Sequence, residues 1–419
     1  MNKTDEQTVA STDLKNQSAV KAFYELVESH SYKGEGKGCN TRTNFVFFVG
    51  AGFSKAWSER FWGGKDLFEK FSSKTPLFGE SIGRYLRTMS WCELEAFDKD
   101  EFNIDFNDFK KIVFSLDMYE KHRELRPKYI DSKGLKMIRE KLNALIALKM
   151  WEYNPYSKKS HDSYNSNLYL PEKLTKEQKE IINFFDTLRD QKNNHSQKQE
   201  GIRVNHISTN YDFVVESISY NDLANELGKS HLDYLYKGFT PSEYSGFSDI
   251  NMIKDDWLAE SLFKLNGGLE IYCNSDGTYR VDYRKKECED LQKESPLLIL
   301  PSYEQDYSSP YFKEILQKSK ELLTISKVLI IVGYSLPEED ILIRFLLKHF
   351  ALDEADFQDK TIFYISKEES HDKLEENLKS VFRKSINESF SEQVHTFSGS
   401  FNKFVEQINQ LWKSNIKNA

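Results

Sequence analysis

Residues 45–54 read FVFFVGAGFS: five strongly apolar residues run directly into Gly-Ala-Gly-Phe-Ser, after which the chain turns polar and helix-competent. Continuous apolar character of this kind belongs to a parallel strand buried on both faces, since a strand with one wet face alternates. Small residues at its carboxyl end let the backbone approach a phosphate at the N-terminus of the next helix. The same Gly-x-Gly spacing also serves as a plain turn from strand to helix.

Five further stretches read as strands, at 203–209, 262–265, 297–300, 327–332 and 361–365, with helical stretches between several of them. Strands interleaved with helices predict an α/β fold with a Rossmann-like, doubly wound parallel sheet. The run at 327–332 ends in Gly333-Tyr334-Ser335-Leu336-Pro337, and EEDILIRFLLKHF follows as an amphipathic helix with carboxylates in its first turn. It repeats the design of the first strand. Between 76 and 199 the spacing is helical, which predicts a helical insertion or subdomain, and the polar stretch 189–201 marks its end. The expected organisation is therefore a segment 1–40, with a polar, mobile start, a short helix at 19–29 and a Gly-rich loop at 32–40. A sheet domain follows at 41–75 and 200–370, interrupted by the helical insertion 76–199. Residues 371–419 form a C-terminal helical segment.

Composition limits what such a domain can do. With 39% hydrophobic residues, 30 Phe and 22 Tyr among 419 residues, the chain carries a large aromatic-rich core. A net charge of -8 argues against direct binding to nucleic acid, which needs a basic surface to displace counterions. No apolar run reaches membrane-spanning or signal-peptide length, so no membrane association is expected and the chain is read as cytoplasmic. Cys39, Cys92, Cys273 and Cys288 include no C-x-x-C pair, so neither a zinc knuckle nor a disulfide framework is expected, and no metal site.

Two other strand ends carry polar groups. In 207–212, ISTNYD, a strand runs out into Asn210 and Asp212, whose side chains point to the same side in extended geometry. A carboxamide and a carboxylate there can hold a sugar hydroxyl, a water and a ligand amide, and an Asx turn closing the strand would use the same residues. In 263–268, FKLNGG, a strand ends in Asn266 and two glycines. His206 lies about 13 Å before Asn210 at strand spacing and reads as a core histidine.

Taken in order, GAGFS, STNYD, KLNGG and VGYSLPEED resemble the sirtuin-like superfamily, in particular its NAD-consuming branch from bacterial anti-phage defence systems. The resemblance covers about residues 41–70 and 200–370. It implies that Gly50, Ala51, Gly52, Phe53 and Ser54 lie under the NAD pyrophosphate. Ser208, Thr209, Asn210 and Asp212 would contact ribose and nicotinamide. Asn266 would take the catalytic position, and Gly333, Tyr334 and Ser335 the adenosine half. The implied activity is that of an NAD glycohydrolase, with NAD as substrate rather than cofactor, releasing ADP-ribose and nicotinamide and depleting the cell in abortive infection.

Two departures qualify the resemblance. The paired C-x-x-C module of sirtuin deacylases is missing, which makes protein deacylation an unfavourable reading. Asn266 stands where the family usually has histidine, and an amide cannot act as a general base near neutral pH. A catalytically weak NAD or ADP-ribose sensor subunit is the alternative. By the same resemblance the chain would form a homo-oligomer and work with a HerA-type hexameric ATPase, or alternatively a short Argonaute.

Overall fold

In the computed structural model, residues 3–30, 43–61, 65–72, 77, 82–83, 85–86, 101–128, 130–153, 174–189, 201–223, 260–277, 279–282, 286–352, 357–367, 370–382 and 393–418 are described. Strands in chain order are β1 (Thr43–Val49), β2 (Lys70–Ser72), β3 (Glu101–Asn103), β4 (Ile202–Ser208), β5 (Leu262–Lys264), β6 (Ile271–Cys273), β7 (Tyr279–Val281), β8 (Val328–Val332), β9 (Thr361–Ser366) and β10 (Val394–Ser398). The helices used below are α1 (Lys3–His30), α2 (Ala51–Trp57), α3 (Asp66–Glu69), α4 (Phe106–Lys121), α5 (Ser132–Tyr153), α6 (Lys176–Arg189) and α7 (Val214–Leu223). They continue with α8 (Cys288–Lys293), α9 (Pro310–Ile325), α10 (Ile341–Leu347), α11 (His371–Phe382) and α12 (Phe401–Asn418).

Six strands pair in parallel in the order β10-β9-β8-β1-β4-β5. From the central β1 the chain moves outward through β4 to β5, crosses back to β8 on the other side, and moves outward again. Counting only these strands, the order is 3-2-1-4-5-6, the doubly wound arrangement that opens a crevice at the carboxyl ends where the winding reverses. Register levels those ends: Val49 lies opposite both Ser208 and Val332, and Ser208 lies opposite Lys264.

Period-two alternation divides the apolar residues of β1 between two cores. Phe45, Phe47 and Val49 enter one and Val46 and Phe48 the other, and all five are fully buried. The first core is an aromatic cluster centred on Phe184 of α6, whose ring centroid lies 5.7 Å from Phe23, 6.1 Å from Phe47, 5.7 Å from Phe401 and 5.7 Å from Trp412. The last helix of the 76–199 stretch thus shares a core with the sheet. The second core packs α9, α10 and α11 on the opposite face through residues such as Phe312, Leu346 and Leu378.

Several expectations need correction. The N-terminal helix is not confined to 19–29 but runs for 28 residues from Lys3. Ala19, Val20, Phe23 and Val27 anchor its second half in the core. Asn16 extends the anchor by clasping strand β10, donating to the Ser398 carbonyl (3.1 Å) and accepting from the Ser398 amide (2.9 Å). Residues 371–419 are not wholly helical, because β10 lies within them and completes the sheet. The run 297–300 forms no sheet strand. It lies antiparallel to the turn after β5, with one bridge between Gly267 and Leu298 and with Ile299 donating to the Asn266 carbonyl (2.9 Å). The Gly-rich loop 32–40, Cys39, Cys92 and most of the polar stretch 189–201 lie outside the described residues. Among the described residues no helix is long and apolar enough to cross a membrane.

His206 is the core histidine expected from its position. It is fully buried on β4 between the rings of Phe47 and Phe185, at 5.7 and 5.4 Å, with no hydrogen-bond partner on either ring nitrogen. Burial drives its pKa from 6.5 down to about 3, with the Arg189 charge adding to the fall and Glu260 opposing it. A depressed histidine pKa stabilises the fold above the unfolded value and is lost as pH falls toward the folded one. Chemical denaturation should therefore show wild type losing stability relative to His206→Leu as pH falls from 6.5 to 4; parallel profiles would show that this ring does not carry the acid sensitivity.

Candidate functional site

At the centre of the carboxyl edge, the loops after β1 and β8 touch through backbone alone. The Gly50 amide donates to the Val332 carbonyl (3.0 Å) and the Gly52 amide to the Gly333 carbonyl (2.9 Å). A Cβ on Gly52 would lie 2.6 Å from the Gly333 Cα, and one on Gly50 2.7 Å from the Gly333 oxygen. Gly333 has φ +60, and its own Cβ would lie 2.4 Å from the Gly52 Cα. Mutual packing of two loops therefore accounts for all three glycines. The Phe53 amide donates to Gly50 (2.9 Å), so the amides of Gly50, Gly52 and Phe53 are committed to protein carbonyls. The Phe53 side chain points into the aromatic core, 5.4 Å from the Phe401 ring.

Helix α2 starts at this contact, and one turn in it presents Ser54 to the end of β4. The Ser54 hydroxyl donates to Asp212 Oδ2 (2.5 Å) and accepts from Asn210 Nδ2 (2.8 Å). Asn210 Nδ2 also donates to the Gly50 carbonyl (2.8 Å). Both amide protons of Asn210 are thereby used, and the reversed amide would set its oxygen against the Gly50 oxygen. The orientation is fixed, with Oδ1 left to accept from a ligand hydroxyl or a water. Ser208 supports the turn by accepting from the Asn210 amide at 3.0 Å, and the Thr209 amide donates to Val49 at 3.1 Å.

Asp212 is buried, and its Oδ1 accepts from the Val214 amide at the start of α7 (3.0 Å). Burial pushes its carboxyl pKa up, while the Ser54 hydroxyl, the Val214 amide and the Lys264 charge pull it back. Each Asp212 oxygen thus accepts one hydrogen bond from the protein, and through Ser54 the carboxylate is linked to Asn210.

Below this turn, Lys264 is buried on β5 with its Nζ 2.9 Å from Glu216 and 2.9 Å from Glu270, both carboxylates fully buried. The same ammonium donates to the Asp212 carbonyl at 2.6 Å. Gly268 makes room, since a Cβ there would lie 2.4 Å from Glu270 Oε2. Asn266, two residues along, is held at both ends: its Nδ2 donates to the Thr209 carbonyl (3.1 Å) and its Oδ1 accepts from the Tyr307 hydroxyl (2.8 Å).

On the other flank, Tyr334 is buried against Phe48 and its hydroxyl donates to Asp340, whose carboxyl pKa is raised by burial. The Ser335 side chain is exposed beside it, and Leu336 adopts φ 54 while buried, a strained conformation for a branched side chain. The structure thus gathers Ser54, Ser208, Thr209, Asn210, Asp212 and Asn266 into one hydrogen-bonded cluster, with Gly50, Gly52 and Gly333 packed at its edge. Lys264, Glu216, Glu270 and Tyr307 were not singled out from the sequence, and Asp340 was read there only as one of the carboxylates at the start of a helix. A lysine inside the otherwise apolar run LFKL was the available signal for the first.

Among the described residues, no group of three or more His, Cys, Asp or Glu side chains is placed to hold a metal ion. Replacing Lys264 by Met would leave two buried carboxylates without their cation, an imbalance worth about 3–5 kcal/mol. Denaturant titration of Lys264→Met should show a loss of that size, and a change within experimental error would mean that the carboxylates are neutral in the folded protein.

No family model matches the chain, and no curated protein matches it. Solved structures also match, among them two from work on sirtuins. One, from work on the structural basis of sirtuin substrate affinity, aligns over 88% of this chain and 94% of its own with 10% identity and a TM-score of 0.35. Another, from work on the mechanism and regulation of Sir2 enzymes, aligns over 94% of this chain and 99% of its own with 11% identity and a TM-score of 0.32. At scores of this size, the residue roles rest on the geometry of the site itself.

Proposed function

We propose that this chain is an NAD glycohydrolase, which adds water across the bond between ribose and nicotinamide and releases ADP-ribose and nicotinamide. The observation that carries the reading is the fixed Asn210 amide, whose Nδ2 is held by the Gly50 carbonyl and by the Asp212-bonded Ser54 hydroxyl, leaving its oxygen as an acceptor at the carboxyl edge of a doubly wound sheet. The order of the four motifs supports NAD as the ligand. Asn210 Oδ1 accepts from a ribose hydroxyl or from the attacking water, and Asn266 holds the wall between Thr209 and Tyr307. The pyrophosphate lies along the loop 50–54, and the adenosine half lies beside Gly333, Tyr334 and Ser335.

No general base is required of Asn266. As nicotinamide leaves, the anomeric carbon becomes strongly electrophilic, and an oriented water needs less deprotonation than it does in acyl transfer. NAD depletion fits the anti-phage role implied by the motif resemblance, with a HerA-type hexameric ATPase as the controlling partner and a short Argonaute as the other candidate.

The test follows nicotinamide and ADP-ribose released by wild type, Asn210→Ala and Asn266→His, each with and without a HerA-type ATPase. Wild type should turn over NAD, and Asn210→Ala should lose on the order of 100-fold or more, the scale of a positioned catalytic group. Hydrolysis untouched by Asn210→Ala sinks the assignment. Tight NAD binding without turnover in any form would transfer the site to a sensor.

A further inference from the structure

Helix α4 of the 76–199 stretch has two engaged faces. Phe109, Ile112, Val113 and Leu116 enter the first core, while the adjoining stripe at helical spacing, Lys110, Phe114, Asp117 and Lys121, meets residues 302–304. The Phe114 ring packs edge-on against Tyr303 with centroids 6.2 Å apart, the Asp117 carboxyl takes a hydrogen bond from Ser302, and Lys121 Nζ lies 2.9 Å from Glu304. Arg139 of α5 pairs with Asp117 and fixes it in place. The row therefore holds the segment that leads into Tyr307, whose hydroxyl donates to Asn266 after β5.

Lys110 differs from the rest of the row because it reaches a second loop. Its ammonium lies 5.1 and 5.2 Å from the ring centroids of Phe106 and Tyr303, and 3.5 Å from the Glu339 carboxylate. Glu339 belongs to the turn after β8, beside the Asp340 that accepts from Tyr334. In the sheet, β8 and β5 are separated by β1 and β4, whose ends carry Ser54 and Asn210. One lysine thus joins the walls on the two sides of the candidate site. Its side chain is only 10% exposed, a position a lysine keeps when its charge is matched, here by a carboxylate and two ring faces. The Glu339 side chain is 52% exposed, and an ion pair so open to water adds little to stability. What the contact supplies is a connection between loops. The Lys110 charge also reaches into the site, drawing the Asp340 carboxyl pKa down against burial.

We infer that Lys110 is a positioning residue for the candidate site, tying the wall that carries Tyr307 and Asn266 to the wall that carries Tyr334 and Asp340. By this tie the 76–199 stretch becomes part of the frame of the site. The inference rests on the reading that the reaction takes place between these walls.

The test compares full-length wild type, Lys110→Met, Lys110→Arg, Glu339→Ala and the double variant Lys110→Met with Glu339→Ala, each shown to be folded by denaturant titration. Hydrogen exchange without ligand reads the tie directly. Lys110→Met and Glu339→Ala should speed exchange in both 301–307 and 334–340, and Lys110→Arg, which keeps the charge and the ring contacts, should not. Exchange unchanged in both segments, or raised in one alone, overturns the inference. Nicotinamide release from NAD reads the consequence for the site. Lys110→Met should lower kcat/KM by about 10-fold or more, the scale of a displaced reacting group, and Lys110→Arg should recover most of it. The double variant should lose no more than the larger single loss, because both changes break one contact. Hydrolysis unaltered in a folded Lys110→Met overturns the inference. A wild type that releases no nicotinamide fells the hydrolase reading instead, and the exchange comparison still decides for or against the tie.

Discussion

The contact between Gly52 and Gly333 sets the geometry from which the rest of the site follows. β1 and β8 end at the same level, and their loops would diverge if either carried a side chain at the point of closest approach. Because neither does, the Gly333 carbonyl caps the Gly52 amide and α2 begins at a single defined place. Ser54 then falls opposite the end of β4, where Asn210 and Asp212 wait on the same side of the chain. Removal of that backbone contact would leave the serine hydroxyl without a fixed address, and with it the orientation of the Asn210 amide.

A second constraint acts from beneath. Two fully buried carboxylates and one buried ammonium are an expensive arrangement, since desolvating each ion costs several kcal/mol and apolar residues of similar volume often serve stability as well. What the ion pairs supply here is location. Lys264 ties the Asp212 carbonyl to Glu216 on α7 and to Glu270 beyond the Gly267-Gly268 turn, so the ends of β4 and β5 move together. The glycines after Asn266 answer to this cluster and to the Leu297 carbonyl, which a Cβ on Gly267 would approach to 2.0 Å.

How much of this could be read from the chain depends on how local the cause is. β1, β8 and β9 were legible because strands buried on both faces leave largely continuous apolar runs, whereas β4, IRVNHIS, is broken by Arg203, Asn205 and His206 although every residue in it is buried. Strand β10, VHTFS, was not legible, being short, partly polar and set before a strongly amphipathic helix that dominates the pattern. The first half of α1 shows no apolar spacing in the sequence, and Asn16 grips an edge strand 382 residues away. Glycine positions were legible as turns, but the reason for them was hidden, because the sheet order that sets Gly52 against Gly333 is a property of the whole fold. The pairing of Asn210 with Asp212 was legible from strand period, whereas the serine that links them lies 156 residues earlier than Asn210.

Asn266 shows how the same geometry limits chemistry. Its amide supplies one donor, to Thr209, and one acceptor, for Tyr307. A neutral imidazole offers one donor and one acceptor, so a histidine at 266 could keep both partners only by using its whole hydrogen-bonding capacity. In doing so it would spend both ring nitrogens on the protein and have none left to accept a proton from water. Histidine alone is therefore insufficient for base catalysis in this frame; the Tyr307 hydroxyl must also withdraw. Burial raises the pKa of that hydroxyl, and the nearby Asp340 charge raises it further, so Tyr307 stays a proton donor at neutral pH, with Asn266 Oδ1 (2.8 Å) and Gln305 Oε1 (3.1 Å) both within reach of its one proton. The site is consequently built around oriented amides and hydroxyls, an arrangement suited to placing a water beside a carbon that is already electrophilic and unsuited to deprotonating a reluctant nucleophile.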